Sequence, residues 1–440
     1  MLTVHIGFDD TDSLSGGCTT YLAARIIEKI TRIGAKFIDF PYLVRLNPNI
    51  PYRTRGNAAI ALHFQIPDKL FNKVEEIVLN LFDSEARIED KNTNPGLVFH
   101  VGKIPNELKS FYFYALRDVV PLEKATNLVK KLNLKAFTKK KGRGIIGALA
   151  AIGADLSYDF TFEFLAYRFP SFNATPRKVI EDSVILADKL SGQLTFNNYD
   201  YRKKRVLITP HGPDPVLFGI RGETPDSVYF AFKLVKVLEP IERWIIYKTN
   251  QGTDQHLVLR KIKDLKPYMP AILRGTVTSK PIVTKGGHTF FTINDGTGEI
   301  LCAAYAPSEP LNKISAKLIP GDTVELFGAA LMKKGVLTFN LEKIRIIRLQ
   351  PLFLLKNPPC PRCGKTLTSA GKDKGFKCKR CGYVTKTATK IKVEQERELT
   401  CGFYEPTPSA HRHLTKPLKR FKINLPKKDY FKTTLLWHFP

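Results

Sequence analysis

LTVHIGFDDTDSLSGGCTTYLAARIIEKITRIG, residues 2–34, holds the first decision about the fold. Its opening residues are rich in apolar side chains and predict a buried strand ending near Phe8. DDTDSLSGG, from Asp9 to Gly17, predicts a loop, and the following stretch repeats apolar residues at helical spacing. The unit is therefore strand, loop, helix. Asp9, Asp10 and Asp12 crowd into four positions at the strand's end. Hard divalent cations favour one or two carboxylates together with phosphate oxygens, so the cluster predicts Mg²⁺ and a nucleotide. Gly16, Gly17 and a helix starting near Thr19 and Thr20 would offer backbone N–H groups and a positive dipole end to phosphates. An EF-hand is excluded, because neither the glycine nor the terminal glutamate stands at its required offset. No Walker motif occurs, since KKKGRG lacks the GK[ST] ending. The alternative reading of the same residues is an Asx-turn with a helix cap.

Working outward, FIDFPYLV and AAIALHFQI predict strands on either side of RLNPNIPYRTRGN, residues 45–57. Proline and glycine exclude regular structure there, while Arg45, Arg53 and Arg55 add positive charge, so this is a long functional loop. KLFNKVEEIVLNLF predicts a second amphipathic helix, and KNTNPG a turn that enters another strand. A first domain is expected over residues 1–134. Strands and helices then alternate over residues 135–262, as a ferredoxin-like α+β domain requires. From Ala271 the texture changes to five short strands with the turns DGTG and KKG, which predicts an OB-type barrel over residues 268–349.

Residues 355–440 hold the most specific motif. Cys360, Cys363, Cys378 and Cys381 form C-x2-C-x14-C-x2-C, and Gly364 and Gly382 follow the two pairs. Four thiolates at this spacing predict a closed tetrahedral Zn²⁺ site, which is structural because no position is left for water. Lys365, Lys372, Lys374, Lys377, Lys379 and Arg380 surround it and suit phosphates. In the barrel, Phe290, Phe291 or Tyr305 are candidates for stacking bases. The tail after Ala410 is rich in lysine and arginine, and a solvated extension fits it equally well.

The length of 440 residues implies three or four domains, and 43% hydrophobic with 25% charged residues is ordinary for globular proteins. The excess of 69 Lys and Arg over 41 Asp and Glu, a net +28, points to a polyanionic partner, most simply nucleic acid. A lysine-rich, heat-adapted proteome is the competing explanation of that charge. The longest apolar stretch, IIGALAAI, is far short of the roughly 20 residues that span a bilayer, so no membrane partner is expected. Acidic residues stand where a secretory leader needs an apolar core, and a cytoplasmic location is the expectation.

FDDTDS…GGCTTYLA, RLNPNIPYRTRGN, KNTNPG, GRGIIGALAAIGA, FGIRGE and TNQGTDQH together resemble the archaeal tRNA-isoleucine 2-agmatinylcytidine synthetase family. The resemblance spans nearly the whole chain. It implies a multidomain α+β protein with an N-terminal kinase-like α/β domain, a ferredoxin-like domain, an OB fold and a zinc ribbon. It also implies an ATP-dependent ligase that replaces the 2-oxo group of the wobble cytidine of a CAU-anticodon tRNA(Ile) with agmatine, so that the tRNA reads AUA. By the same resemblance Thr19 is the threonine phosphorylated by ATP, and ATP is consumed to AMP, one phosphate going to that threonine and another to the cytidine oxygen. Asp9, Asp10 and Asp12 would then organise Mg²⁺ and ATP. Gly16, Gly17, Thr20, Arg45, Arg53 and Arg55 would surround the nucleotide. Agmatine's guanidinium needs a carboxylate, for which Asp214, Glu223 and Asp254 are the candidates.

Two other readings differ in class. One is a non-catalytic OB-fold and zinc-ribbon RNA-binding protein in which DDTDS is a capped turn. The other is a two-metal nucleotidyltransferase or nuclease built on the aspartates. Transfer of phosphate from labelled ATP to the protein, with release of AMP, separates both from the ligase.

Overall fold

A computed structural model describes the chain except residues 53, 57, 174, 424, 426–428, 435 and 440. The first strand, Leu2–Asp9, lies between antiparallel neighbours Ala58–Ile66 and Gly96–Val101. Side chains alternate across a strand, so Val4, Ile6 and Phe8 all meet one layer, built by Leu22, Ile26, Ile27 and Ile30 of helix Thr19–Arg32 and by helix Phe71–Glu85. Each of these buried aliphatic side chains contributes about 1.5–3 kcal/mol by leaving water. The opposite face is covered by helices Asn106–Arg117 and Gly144–Ile152. This second layer approaches without side chains between: a Cβ on Gly7 would lie 2.1 Å from the Ala148 carbonyl oxygen, and one on Gly147 would lie 1.9 Å from Asp9 Oδ2. The glycines of GRGIIGALAAIGA therefore press a helix directly onto the strand that carries the aspartates.

In chain order the first unit runs strand 2–9, helix 19–32, strand 42–45, strand 58–66, helix 71–85 and strand 96–101. In space its strands are ordered fourth, first, third, second. The second unit repeats this pattern, with strands Thr161–Arg168, Thr195–Phe196, Val216–Gly222 and Ile241–Thr249 and helices Glu181–Ser191 and Pro225–Leu234. Both are split βαβ units. The ferredoxin-like expectation thus holds for the second unit, and the first is built on the same antiparallel plan. The two sheets join edge to edge, with Lys248 against Tyr42 and Thr249 against Leu43 in a parallel pairing, into one sheet of eleven strands among the described residues. Strand Lys135–Thr138 extends the first unit's edge, so that packing unit continues beyond residue 134.

Strands Pro270–Val277, Thr289–Asn294, Glu299–Ala304, Thr323–Lys333 and Val336–Arg348 close a five-stranded barrel around Leu273, Phe291, Ile293, Leu326 and Ile344. Phe291 faces this core at 1% exposure and is not available to bases, whereas Phe290 and Tyr305 are half-buried at its surface. A two-stranded stalk, Leu352–Lys356 with Ile391–Gln395, carries the small three-stranded sheet of the cysteine segment. Among the described residues the C-terminal segment is docked on the other domains rather than being a solvated extension. Gly402–Tyr404 pairs with the barrel strand Val336–Arg348, and His438–Phe439 with Ile241–Thr249. Between them Arg420 pairs with Glu223 and Asp159, and Lys416 with Asp159. Among the described residues no helix is long and apolar enough to cross a membrane.

Candidate active site and zinc centre

Where the two units meet, a cavity of about 630 Å³ opens at the end of the first strand. Asp9, Asp10, Asp12, Cys18, Thr19 and Thr20 line it from the first unit, and Glu163, Asp214 and Arg221 from the second. The Asp9 carboxylate accepts the Asp10 N–H at 2.7 Å. Asp10 sits at φ 59°, a left-handed conformation that aspartate tolerates. Its two oxygens accept the Thr54 hydroxyl at 2.7 Å and the Asn94 N–H at 2.8 Å. Asp12 is committed differently: its carboxylate takes Arg55 Nε at 2.7 Å, while the same guanidinium donates to the Gly17 carbonyl at 2.6 Å and reaches Asp214 at 3.3 Å. Arg55 thus ties the aspartate loop to the second unit. Gly17 holds φ 74°, and a Cβ there would also strike Arg87 at 2.7 Å.

Electrostatics set the aspartates apart from surface carboxylates. Burial, reinforced by the neighbouring Asp10, holds the Asp9 carboxyl well above its ordinary range. Burial pushes Asp10 up to about 6, against the opposing hydrogen bonds from Thr54 and Asn94. Burial also raises Asp214, although Arg177 and Arg55 oppose it. Such clustered, desolvated carboxyls are relieved by a cation. Helix Thr19–Arg32 starts at this cavity. Cys18, not a threonine, is its N-cap, and it makes no side-chain capping bond. The Thr19 hydroxyl accepts that of Thr11 at 3.1 Å. Arg45 projects into the cavity and donates to the Gly56 carbonyl at 2.6 Å.

Of the three carboxylates expected to meet a guanidinium, only Asp214 lines the cavity. Glu223 is buried against Arg420, at 2.5 Å from Nε, and Asp254 takes Lys343 Nζ at 2.6 Å and the Lys416 N–H at 2.7 Å. Both are committed to anchoring the tail and the barrel. Arg53 lies outside the described residues. Glu163, which the sequence reading missed, faces the cavity while bound to Arg221 at 3.0 Å and to the Gln251 amide. The signal was an acid inside the otherwise apolar strand TFEFLAYR. The tail segment at His411 and His413 also lines the cavity, and only the tertiary fold brings it there.

The second centre lies in the ribbon. The four cysteine sulfurs lie within 4.8 Å of one another, with Cys360 to Cys381 and Cys363 to Cys378 both at 3.5 Å. Tetrahedral bonds of about 2.3 Å to zinc separate sulfurs by about 3.8 Å, so the set fits one Zn²⁺. Gly364 and Gly382, at φ 72° and 73°, turn both knuckles, and the Arg380 N–H reaches Cys378 Sγ at 3.4 Å.

Four family models match in chain order: the TiaS TCKD domain over residues 5–69, the TiaS FLD domain over 142–256, an OB-fold nucleic acid binding domain over 271–347, and the TiaS C-terminal zinc ribbon domain over 357–399. The isoleucine-tRNA 2-agmatinylcytidine synthetase TiaS of Pyrococcus horikoshii is 44% identical over 417 residues, which cover 95% of this chain and 97% of that one. The chain belongs to the TiaS family. Crystal structures of family members agree with its fold. A complex of TiaS with its isoleucine tRNA and ATP is similar with a TM-score of 0.87 at 40% identity, covering 98% of this chain and 100% of that one. A complex of TiaS with the same tRNA, AMPCPP and agmatine gives 0.84 at 39% identity over the same shares. Family membership sets aside the non-catalytic and nuclease readings.

Proposed function

We propose that this chain attaches agmatine to C2 of the wobble cytidine of a CAU-anticodon tRNA(Ile) at the expense of ATP, so that the tRNA decodes AUA. The observation that carries this reading is the cavity lined by both units, in a chain matched almost end to end by family members. The first unit presents aspartates and a helix N-terminus suited to a nucleotide, and the second presents carboxylates suited to a cationic amine. A pyrimidine carbonyl oxygen is a poor leaving group. Phosphorylated, it departs as phosphate when the agmatine nitrogen attacks C2: the C–N bond forms, the C–O bond breaks with its electron pair, and the nitrogen releases a proton. The cytidine must leave its stack to enter such a cavity.

Magnesium-bound ATP, when present, supplies the phosphoryl groups. Asp9 and Asp10 would hold the cation, and Asp12 would act through Arg55, which it orients. The backbone N–H groups of Gly16, Gly17 and Thr20 would receive phosphates, Arg45 and Arg55 would balance their charge, and Thr19 Oγ1 would accept the phosphoryl group. Asp214 and Glu163 are the carboxylates placed to draw in agmatine. In this division of labour, residues 1–134 activate, 135–262 hold agmatine, and the segments 268–349 and 355–440 grip the tRNA.

A consequence concerns pH. Asp10 ionises near 3.8 when unfolded and at about 6 in the fold. The folded state therefore favours the protonated carboxyl, and the cation-free protein loses stability as pH rises from about 4 through about 6. A cation that binds the ionised carboxylates reverses this loss. Mg²⁺ should accordingly raise the melting temperature more at about pH 7.5 than at about pH 4.5, and equal shifts at both would remove Asp9 and Asp10 as its ligands.

The function itself is tested with labelled agmatine and transcripts of tRNA(Ile) carrying CAU or GAU anticodons. Label should enter the CAU transcript only, and only with ATP. Incorporation without ATP, or into both transcripts alike, would overturn the reading.

A further inference from the structure

TNQGTDQH, residues 249–256, is almost entirely buried, yet only Asp254 in it stands out from the sequence as a site candidate. Asn250 is fully buried at the seam between the two units. Strand Ile241–Thr249 runs parallel to Tyr42–Arg45 for two residue pairs and then turns away. At that point the Asn250 side chain takes over the pairing. Its Oδ1 accepts the Arg45 N–H at 2.8 Å, and its Nδ2 donates to the Arg45 carbonyl at 2.8 Å. The two partners fix the orientation of the amide, because an N–H needs an acceptor and a carbonyl needs a donor. Nδ2 also donates to the Tyr112 hydroxyl at 3.0 Å, and Tyr112 donates onward to Gln255 at 2.7 Å. A carboxamide can satisfy both backbone groups of one residue. A carboxylate only accepts, and an aliphatic side chain does neither.

The residue so held is unusual. Arg45 ends the edge strand of the first unit, and on its other side it pairs with Ala58. Its guanidinium lines the same cavity as Asp9 and Glu163, makes no direct ion pair with a described residue, and leaves Nε buried without a hydrogen-bond partner among them. Arg55, by contrast, is paired with Asp12 and Asp214. A desolvated cation without a direct ion pair is costly and is compensated when an anion arrives. Its usefulness depends on where its backbone is pinned, since an error of about 1 Å in a charged group's placement costs up to about 100-fold in rate.

We propose that Asn250 is a positioning residue for ATP, acting from the second unit through Arg45 of the first, which rests on the reading of Arg45 as a phosphate-binding group. The clamp makes the nucleotide wall depend on the join between the units, so phosphate handling and the agmatine wall share one framework.

The test uses the full chain with Asn250→Ala, Asn250→Asp, Arg45→Ala and the double variant Arg45→Ala/Asn250→Ala. Amide hydrogen exchange in the peptide containing Arg45 reports the clamp directly and without ATP. KM for ATP, kcat and tRNA affinity are measured beside it. Asn250→Ala should speed exchange at Arg45 by about tenfold or more and lower kcat/KM for ATP by about tenfold or more, with tRNA affinity unchanged within about twofold. Asn250→Asp, which keeps the acceptor for the Arg45 N–H, should retain most of the exchange protection. In the Arg45→Ala background, Asn250→Ala should have little further effect on ATP use. Faster exchange with normal ATP use would make the clamp purely structural and overturn the proposal, as would an equal loss in the Arg45→Ala background. If Arg45→Ala itself leaves KM for ATP unchanged, the phosphate role of Arg45 fails first and the proposal with it.

Discussion

Thr19→Ala is expected to keep the fold and to lose agmatine attachment by about 10³-fold or more, the scale on which removal of a group that carries a covalent step is felt. Thr19 is the first residue of its helix, 6% exposed, on the wall that carries the aspartates. Because Cys18 occupies the N-cap, alanine at 19 removes no cap, only the hydrogen bond with Thr11, worth about 1 kcal/mol. A loss of activity would therefore not be a loss of fold. Thr19→Ser should keep part of the activity. Thr20 is the internal control, since its hydroxyl turns to Cys18 Sγ at 3.0 Å and its carbonyl accepts the Tyr247 hydroxyl at 2.7 Å. Mass spectrometry after incubation with Mg-ATP should find phosphate on residue 19 in the wild type and in Thr20→Ala, and none in Thr19→Ala. Wild-type attachment by Thr19→Ala would leave the aspartates to activate cytidine directly.

Loss of zinc should have the next largest effect, confined to tRNA binding. The ribbon's buried centre consists of Cys360, Leu367, Phe376 and Cys378. A core this small does not outweigh the entropy of ordering the chain, so the metal supplies the folding energy. The Cys363→Ala/Cys378→Ala double variant should lack zinc, lose the three-stranded sheet and bind tRNA about tenfold or more weakly. The lost affinity should be the salt-dependent part, because Lys365, Lys372, Lys374 and Lys377 act on phosphates. Phosphorylation of Thr19 should persist, since the cavity shares no residue with the ribbon. Full tRNA affinity in the double variant would show that the ribbon does not grip the tRNA.

What the sequence made legible was what short-range physics dictates. LTVHIGF had to be a strand and YLAARIIEKI a helix, because a period of two and a period of 3.6 bury different residues. Cysteine spacing identified the zinc knuckles, and Gly-bounded short strands identified the barrel. What was not legible depended on long-range pairing. Nothing local shows that Tyr42 lies beside Lys248, so the fusion of the two sheets, and with it the cavity, could not be read. Asp214, Glu223 and Asp254 looked equivalent as loop acids, and only the tertiary fold shows that Asp214, paired with Arg55 and Arg177, faces the cavity while Arg420 and Lys343 hold the other two away from it. Phe290 and Phe291 are adjacent aromatic residues, and one register decision separates a half-buried surface ring from a core ring. The repeat of one topology in both units was hidden because the equivalent strands share hydrophobicity, not residues.

The central claim is that one cavity carries both the activation of cytidine and its attack by agmatine. Nucleoside mass spectrometry of a CAU-anticodon tRNA(Ile), digested after incubation with the protein, Mg-ATP and agmatine, tests it most directly. The expected result is a cytidine bearing agmatine at the first anticodon position, formed by the wild type and lost in Thr19→Ala and in Asp214→Ala alike. Unmodified cytidine, or modification that survives loss of Asp214, would contradict it.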